Sequence, residues 1–313
     1  MKKITVLTAC FNEEENVEIL YNEVKKQFDI LPQYEYEHLF IDNASTDNTV
    51  KILKTIASED KKVKIIVNAR NFGHIRSPFY GMQHAFGDAV ISMVADLQDP
   101  PELIPQLLQK WEEGFKIVCA VKDKSKENPL MFMLRKTYYT MLDKFSEGSH
   151  QIKNFTGFGL YDKKFIDILR TIEDPYPYFR GLISELGFDY TTVTYVQPRR
   201  LHGKTKNNFY TLYDIGMLGF VNHSKLPLRM ASFIGFTVAV ISIIVALVYF
   251  VFKLIYWYEF SAGTAPLVIG LFFFSSVQLF FIGIIGEYVG AIHTQVRKRP
   301  LVVERERVNF DEE

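Results

Sequence analysis

The sequence predicts an α/β fold, a mostly parallel sheet with helices on both faces, followed by two helices long enough to cross a membrane. Three observations predict it. Short apolar runs recur between residues 4 and 121 and alternate with stretches of helical character, the pattern of strand–helix–strand units. The first four of these runs end in clusters of acidic, amide or basic residues. Finally, residues 230–252 and 261–286 contain no charged side chain over 23 and 26 positions, and about 20 apolar residues suffice to span a bilayer.

The elements follow in order. Residues 4–9 read as a buried strand with Ala9 at its end. Asn12 is placed to cap the next helix, with Glu13, Glu14 and Glu15 in the first turn, where the helix dipole favours them; that helix runs to about 28. A second strand, 36–41, ends in Asp42 and a polar turn that leads into a helix over 50–57. A third strand, 63–68, is followed by Arg70 and Asn71, and a helix near 77–86 leads to a fourth strand from 90. That strand stops in Asp96, Gln98 and Asp99, because Pro100 and Pro101 cannot continue it, and Pro101 opens a helix to about 111. A fifth strand covers 116–121. Beyond it the pattern loosens. Residues 130–145 look helical and carry Arg135, 155–161 mix glycine and aromatics as a loop with a short strand, and 176–182 lead into a short helix. Residues 190–196 alternate as a strand, and 199–206 form a basic loop.

Polar residues thus fall after four successive strands: Asn12 and Glu13, Asp42, Arg70 and Asn71, Asp96 and Gln98. In an open α/β sheet these tips share the edge at which ligands bind. Asp96 and Gln98 are hard oxygen donors suited to Mg²⁺ or Mn²⁺ shared with substrate phosphates; a turn-capping role for Asp96 is the alternative. No Gly-x-Gly-x-x-Gly follows the first strand and no Gly-Lys-Ser/Thr loop is present, which disfavours dinucleotide-binding and P-loop chemistry. Lys+Arg and Asp+Glu balance at 36 each, so no net charge points to nucleic acid. Cys10 and Cys119 each sit at the end of an apolar run and read as buried thiols of a reducing compartment.

The organisation expected is a domain over 1–207, an interfacial amphipathic helix within 208–227, two spans over 228–291 and a tail over 292–313. Tyr256, Trp257 and Tyr258 mark an aromatic belt between the spans. Lys225 and Arg229 precede the first span and Arg297, Lys298 and Arg299 follow the second. The positive-inside rule therefore places both termini, and the first domain, on the cytoplasmic side of the inner membrane. Glu287, at the edge of the second span, reads as a structural partner for a basic group.

The stretches FNEEEN, IDNASTDNT, NARNFGH, ADLQDPPE, YFRGL and GKTKN, with GIIGEYVGAIHTQVRKRP at the second-span exit, resemble glycosyltransferase family 2, and within it the polyprenyl-phosphate glycosyltransferases. The resemblance covers nearly the whole chain. It implies a GT-A fold (a Rossmann-like α/β sheet), a nucleotide-sugar donor with UDP as nucleotide, a polyprenyl-phosphate acceptor such as undecaprenyl phosphate, inversion at the sugar, and a homo-oligomer, by resemblance a tetramer. Asp96 matches the second acid of the family's Asp-x-Asp motif and, with Gln98, an implied Mg²⁺ or Mn²⁺ ligand pair; Val94 stands where the first acid would be. Ala9, Asn12, Glu13, Asp42, Arg70, Asn71 and Asp96 are the implied donor-binding set. Arg135, Arg200 and Lys206 match basic positions facing acceptor or donor phosphates, and Asp96 and Arg135 are the implied catalytic pair. Gly157 replaces an aspartate of the family's Gly-Asp-Phe run, and nearby Asp162 reads as a surface residue. Two rival readings are a processive polysaccharide synthase, disfavoured because Gln-x-x-Arg-Trp is missing, and a non-catalytic membrane protein that binds nucleotide-sugar or lipid.

Overall fold

A computed structural model describes residues 1–123, 152, 154–198, 200, 226–256, 264–297 and 299–310. Arg135 and Lys206, and the helices expected over 130–145 and 209–220, lie outside the described residues. The chain forms two units, Met1–Gly219 with Arg297–Glu313, and Phe220–Val296.

Among the described residues the first unit has eight strands: β1 (Lys2–Cys10), β2 (Tyr34–Asp42), β3 (Val63–Asn68), β4 (Ala89–Val94), β5 (Ile117–Lys122), β6 (Phe155–Asp162), β7 (Tyr190–Tyr195) and β8 (Glu304–Val308). They lie side by side in the order β7-β5-β6-β4-β1-β2-β3-β8. Strands β4, β1, β2 and β3 are mutually parallel, as is the pair β5–β7, while β6 and β8 run antiparallel to their neighbours. The central strands read as near-continuous apolar runs because both of their faces are covered. Successive side chains point to opposite faces, so Ile4 and Val6 enter one core with Phe40, Val63 and Ile65, and Leu7 enters the other with Leu39, Ile41 and Ile66.

Helices α1 (Val17–Asp29), α2 (Thr49–Glu59), α3 (Gly73–Gln83), α4 (Ile104–Glu112), α5 (Lys163–Thr171) and α6 (Phe179–Glu185) cover those faces. α1 buries Val17, Leu20, Val24 and Phe28 at helical spacing, and α4 buries Ile104, Leu107, Leu108 and Trp111 against the same core. α3, α5 and α6 close the opposite face through Phe79, Met82, Phe165, Ile166, Leu169 and Ile183. Each fully buried side chain of this size stabilises the fold by about 1.5–3 kcal/mol. Gly81 lets α3 settle onto the sheet, since a Cβ there would come within 2.7 Å of Leu7 Cδ1.

Several sequence expectations are corrected. Asn12 does not cap α1: the helix begins at Val17 and the residue ahead of it is Asn16. Asn12 instead has φ 55°, a left-handed turn that asparagine tolerates. The helix expected near 77–86 begins earlier, at Gly73, and ends at Gln83. The stretch 155–161, expected as loop plus short strand, is one continuous strand wedged between β4 and β5. Asp162 is not a surface residue: it is only 7% exposed. Its Oδ1 caps α5 by accepting from Lys164 N at 3.0 Å, and its Oδ2 accepts from Trp111 Nε1 at 2.8 Å and Lys116 Nζ at 3.2 Å. Burial raises its pKa, but these three donors outweigh burial and hold the carboxyl below its ordinary value. Neither α5 nor β8 was expected. β8, in the stretch read only as a tail, pairs with β3, and Asn309 Nδ2 donates to Ala57 O at 2.7 Å and Val63 O at 2.9 Å.

The second unit holds α7 (Leu226–Ile255) and α8 (Thr264–Val296). Within them Leu228–Ile255 and Ile269–Val296 have mean hydropathy 2.8 and 2.1 with no buried residues in the most apolar windows. By length and composition both are able to cross a membrane; α7 contains the uncharged run 230–252, and α8 contains residues 264–286 of the second run.

Candidate active site

The parallel strands β1 to β4 end at one edge of the sheet, and the polar tips gather there. At the end of β1, Ala9 is paired in register with Ile41 and Val94. The chain then turns through Asn12, whose backbone N donates to Ser45 Oγ at 2.9 Å and whose Oδ1 accepts from Thr46 N at 2.8 Å. Glu13 N donates to Thr49 Oγ1 at 2.8 Å, and Glu13 Oε2 accepts from Asn16 Nδ2 at 2.7 Å. The loops after β1 and β2 are thereby locked to each other. Asp42 sits beneath them, fully buried, accepting from Ser45 N at 2.9 Å and from Ser45 Oγ. Burial pushes its carboxyl up, against the pull of those hydrogen bonds and of Arg305. Burial and the nearby Asp42 likewise keep the free Cys10 thiol protonated.

The tip of β3 is joined to this edge by Asn43, which sequence reasoning missed. Its Nδ2 donates to Asn71 Oδ1 at 2.9 Å, and its Oδ1 accepts from Asn68 Nδ2 at 3.1 Å and Phe72 N at 2.8 Å. The Asn71 side chain thus holds its own turn, also accepting from Gly73 N at 2.8 Å. Arg70 is exposed, with its guanidinium 4.1 Å from the Phe72 ring centroid.

At the tip of β4, Asp96 is 5% exposed. Its Oδ1 accepts from Gln98 N at 3.1 Å, and its Oδ2 meets Arg200 Nη2 at 2.5 Å. Asp96 and Arg200, far apart in sequence, are therefore brought together. Leu97 between Asp96 and Gln98 has φ 59°. This uncommon conformation is held in place by Asp99: its Oδ2 accepts from Val94 N at 3.1 Å and its Oδ1 from Tyr195 Oη at 3.1 Å. Asp99 is 4% exposed, and burial pushes its pKa up to about 6. Tyr195 packs edge-on against Phe158. Neither Asp99 nor Tyr195 was among the expected site residues; Asp99 stood in the motif, but nothing in sequence placed Tyr195 beside it.

Val94 and Gly157, the two positions where the family resemblance would place acids, are uncharged and line one cavity with Asp99. Gly157 has φ 107°, a backbone that an aspartate adopts only under strain, and its carbonyl accepts from Tyr161 Oη at 2.8 Å.

A divalent cation here would find the Asp96 carboxylate and the Gln98 amide. No group of three or more His, Cys, Asp or Glu suited to a metal occurs among the described residues. That donor set fits a Mg²⁺-type ion that takes most of its ligands from substrate phosphates and water, and does not fit an ion caged by protein alone.

The chain matches Glycosyl transferase family 2 over residues 5–169. It is 33% identical to the uncharacterized glycosyltransferase YkcC of Bacillus subtilis, over 96% of this chain and 92% of that one. It is 32% identical to the prophage bactoprenol glucosyl transferase homolog of Escherichia coli, over 95% and 97%. It is 33% identical to the bactoprenol glucosyl transferase of Shigella phage SfII, over 95% and 96%.

Proposed function

Since the chain belongs to glycosyl transferase family 2, and is a glycosyltransferase, we propose that it moves one sugar from a nucleotide-sugar, a UDP-sugar in the first instance, to a polyprenyl phosphate. The observation that carries this reading is the end-to-end match to bactoprenol glucosyl transferases, which extends through both membrane-length helices. The sheet edge supports it chemically. Asn12 and Glu13 would hold the nucleoside; Asp42, expected to touch the donor, is fully buried and would instead brace that loop from below through Ser45, and Arg70 and Asn71 border the same edge. Asp96 and Gln98 would hold Mg²⁺ or Mn²⁺ together with the donor diphosphate; such an ion neutralises charge developing on the leaving group.

The acceptor is a phosphate monoester with a second pKa of about 6, so at neutral pH it is largely a dianion and needs no general base. One of its oxygens forms a bond to the anomeric carbon as the bond from that carbon to the donor diphosphate breaks, and the nucleoside diphosphate leaves. Direct displacement inverts the sugar. Gly157 in place of an aspartate is compatible with this step, because no proton has to be removed. Arg200, paired with Asp96, would exchange partners between that carboxylate and a substrate phosphate, and Arg135 and Lys206 would add positive charge against the repulsion of the two anions. The apolar helices would tether the domain to the membrane that holds the acceptor, with both termini cytoplasmic.

The experiment is to incubate the purified chain with undecaprenyl phosphate, Mg²⁺ and a panel of labelled nucleotide sugars. One sugar per lipid phosphate from one donor supports the reading. Chains of sugar would favour a processive synthase, and no product with any donor would favour a binding protein.

A further inference from the structure

A cavity of about 200 Å³ opens between the ends of β1 and β4, the first turns of α3, strand β6 and the turn into α6. Its walls are chiefly apolar: Leu7, Phe79, Met82, Phe158 and Phe179 among others. Two cationic or cation-capable side chains, Arg180 and His74, line the same space. Arg180 is half-buried, and no carboxylate pairs with it among the described residues. Partial desolvation and the charge of Arg180 hold the exposed His74 below its ordinary pKa. Close by, Arg76 lies over the Tyr176 ring at 5.4 Å, with a buried Nε that has no hydrogen-bond partner.

A half-buried arginine with no carboxylate beside it among the described residues gains from an incoming anion. The aromatic wall then narrows the choice. A bare sugar can stack its C–H face on the rings, but these chiefly apolar walls offer few partners for its hydroxyls, and a free phosphate would leave the rings unused. The cavity also carries little opposing charge. Val94, 44% exposed, and Gly157 are neutral, and the single carboxylate, Asp99, has both oxygens engaged by Val94 N and Tyr195 Oη.

We propose that this cavity is the acceptor subsite, taking a phosphate monoester that carries an isoprenoid chain, with the phosphate on Arg180 and the first chain unit against Phe79, Phe158 and Phe179. The proposal rests on the polyprenyl-phosphate reading and adds where and by which residues the acceptor is recognised. The volume fits that part alone: sites enclosing a whole drug-sized ligand run to ~300–1,000 Å³, so the rest of the chain stays outside. Arg180 lies within the YFRGL stretch, which carries no assigned role from its sequence.

The test uses the full chain in detergent with Arg180→Ala and Arg180→Lys. Expected for Arg180→Ala is an acceptor KM raised about tenfold or more, with UDP affinity by calorimetry within about twofold of wild type and an unchanged melting temperature. Arg180→Lys recovers part of the loss. Calorimetry with citronellyl phosphate and with inorganic phosphate separates the possible sources of the anion. The short isoprenoid phosphate binds wild type and not Arg180→Ala, and inorganic phosphate binds neither measurably. An unchanged acceptor KM in a folded Arg180→Ala variant overturns the proposal. So does a loss confined to UDP affinity, which would assign Arg180 to the donor diphosphate, or equal binding of the two phosphates. If wild type transfers no sugar to any lipid phosphate, the polyprenyl-phosphate reading fails, and the citronellyl phosphate isotherms still decide the cavity.

Discussion

Replacing Asp99 by Asn should change how stability depends on pH, and the direction is opposite to that of a salt-bridged carboxylate. In the folded chain burial raises the Asp99 pKa from 3.8 to about 6. Between those values the folded state binds more protons than the unfolded state, so stability falls as pH rises through this window. The contribution is fully present below pH 3.8 and is gone above about pH 6. A shift of roughly 2 units corresponds to about 3 kcal/mol at about 1.4 kcal/mol per unit. The side chain is 4% exposed, so solvent screening offers little discount. The assay is thermal unfolding of the detergent-solubilised chain between pH 4 and pH 7, read as the difference between wild type and Asp99→Asn. That difference cancels carboxylates common to both. Wild type should lose several degrees relative to the variant as pH rises from 4 to 6.5. Parallel curves, or a wild type that gains on the variant, would refute the assignment of Asp99 as a buried carboxyl held by Val94 N and Tyr195 Oη.

Three further outcomes are expected. Gly157→Asp, which restores the acid expected from the family resemblance, should destabilise by about 1–3 kcal/mol because the backbone there has φ 107°; a thermal-shift assay reads this, and an unchanged or higher melting temperature contradicts it. Trp111→Phe removes a buried donor from Asp162 and should cost about 1–2 kcal/mol in denaturant unfolding at pH 7, with the deficit shrinking as pH falls and Asp162 protonates. Calorimetric titration with Mg²⁺ or Mn²⁺ should show no binding in the absence of nucleotide and binding once UDP is added, since the protein supplies one carboxylate and one amide; tight binding to the chain alone would reveal a ligand set other than Asp96 and Gln98.

The reach of sequence reasoning follows from burial. Strands β1 to β5 were legible because their two covered faces make them continuous apolar runs, and β3 was placed to the residue. The membrane-length helices were legible from the length of their uncharged runs, 23 and 26 residues. β8 was not, because ERERV on a half-exposed edge has no apolar face to show; it is recognisable only once β3 is there to pair with it. Asp162 was misread because its partners, Trp111 and Lys116, lie 51 and 46 positions away. Asn12 looked like a cap because the motif before α1 is acidic, yet the loop closes onto Ser45 and Thr46 across the sheet edge. At the site, the tips of β1 to β4 were legible from strand periodicity. The Asp96–Arg200 pair was not, since only the path of the chain after β7 brings those charges together, and Tyr195 and Arg180 were hidden likewise.

The central claim is that the carboxylate at the tip of β4 is the chemical centre of a glycosyl transfer. Asp96→Asn keeps the size and shape of the side chain and removes its charge. Turnover of nucleotide-sugar with undecaprenyl phosphate should then fall at least about 100-fold, with membrane association and melting temperature retained. Turnover within a few-fold of wild type in a folded, membrane-inserted Asp96→Asn chain would contradict the account.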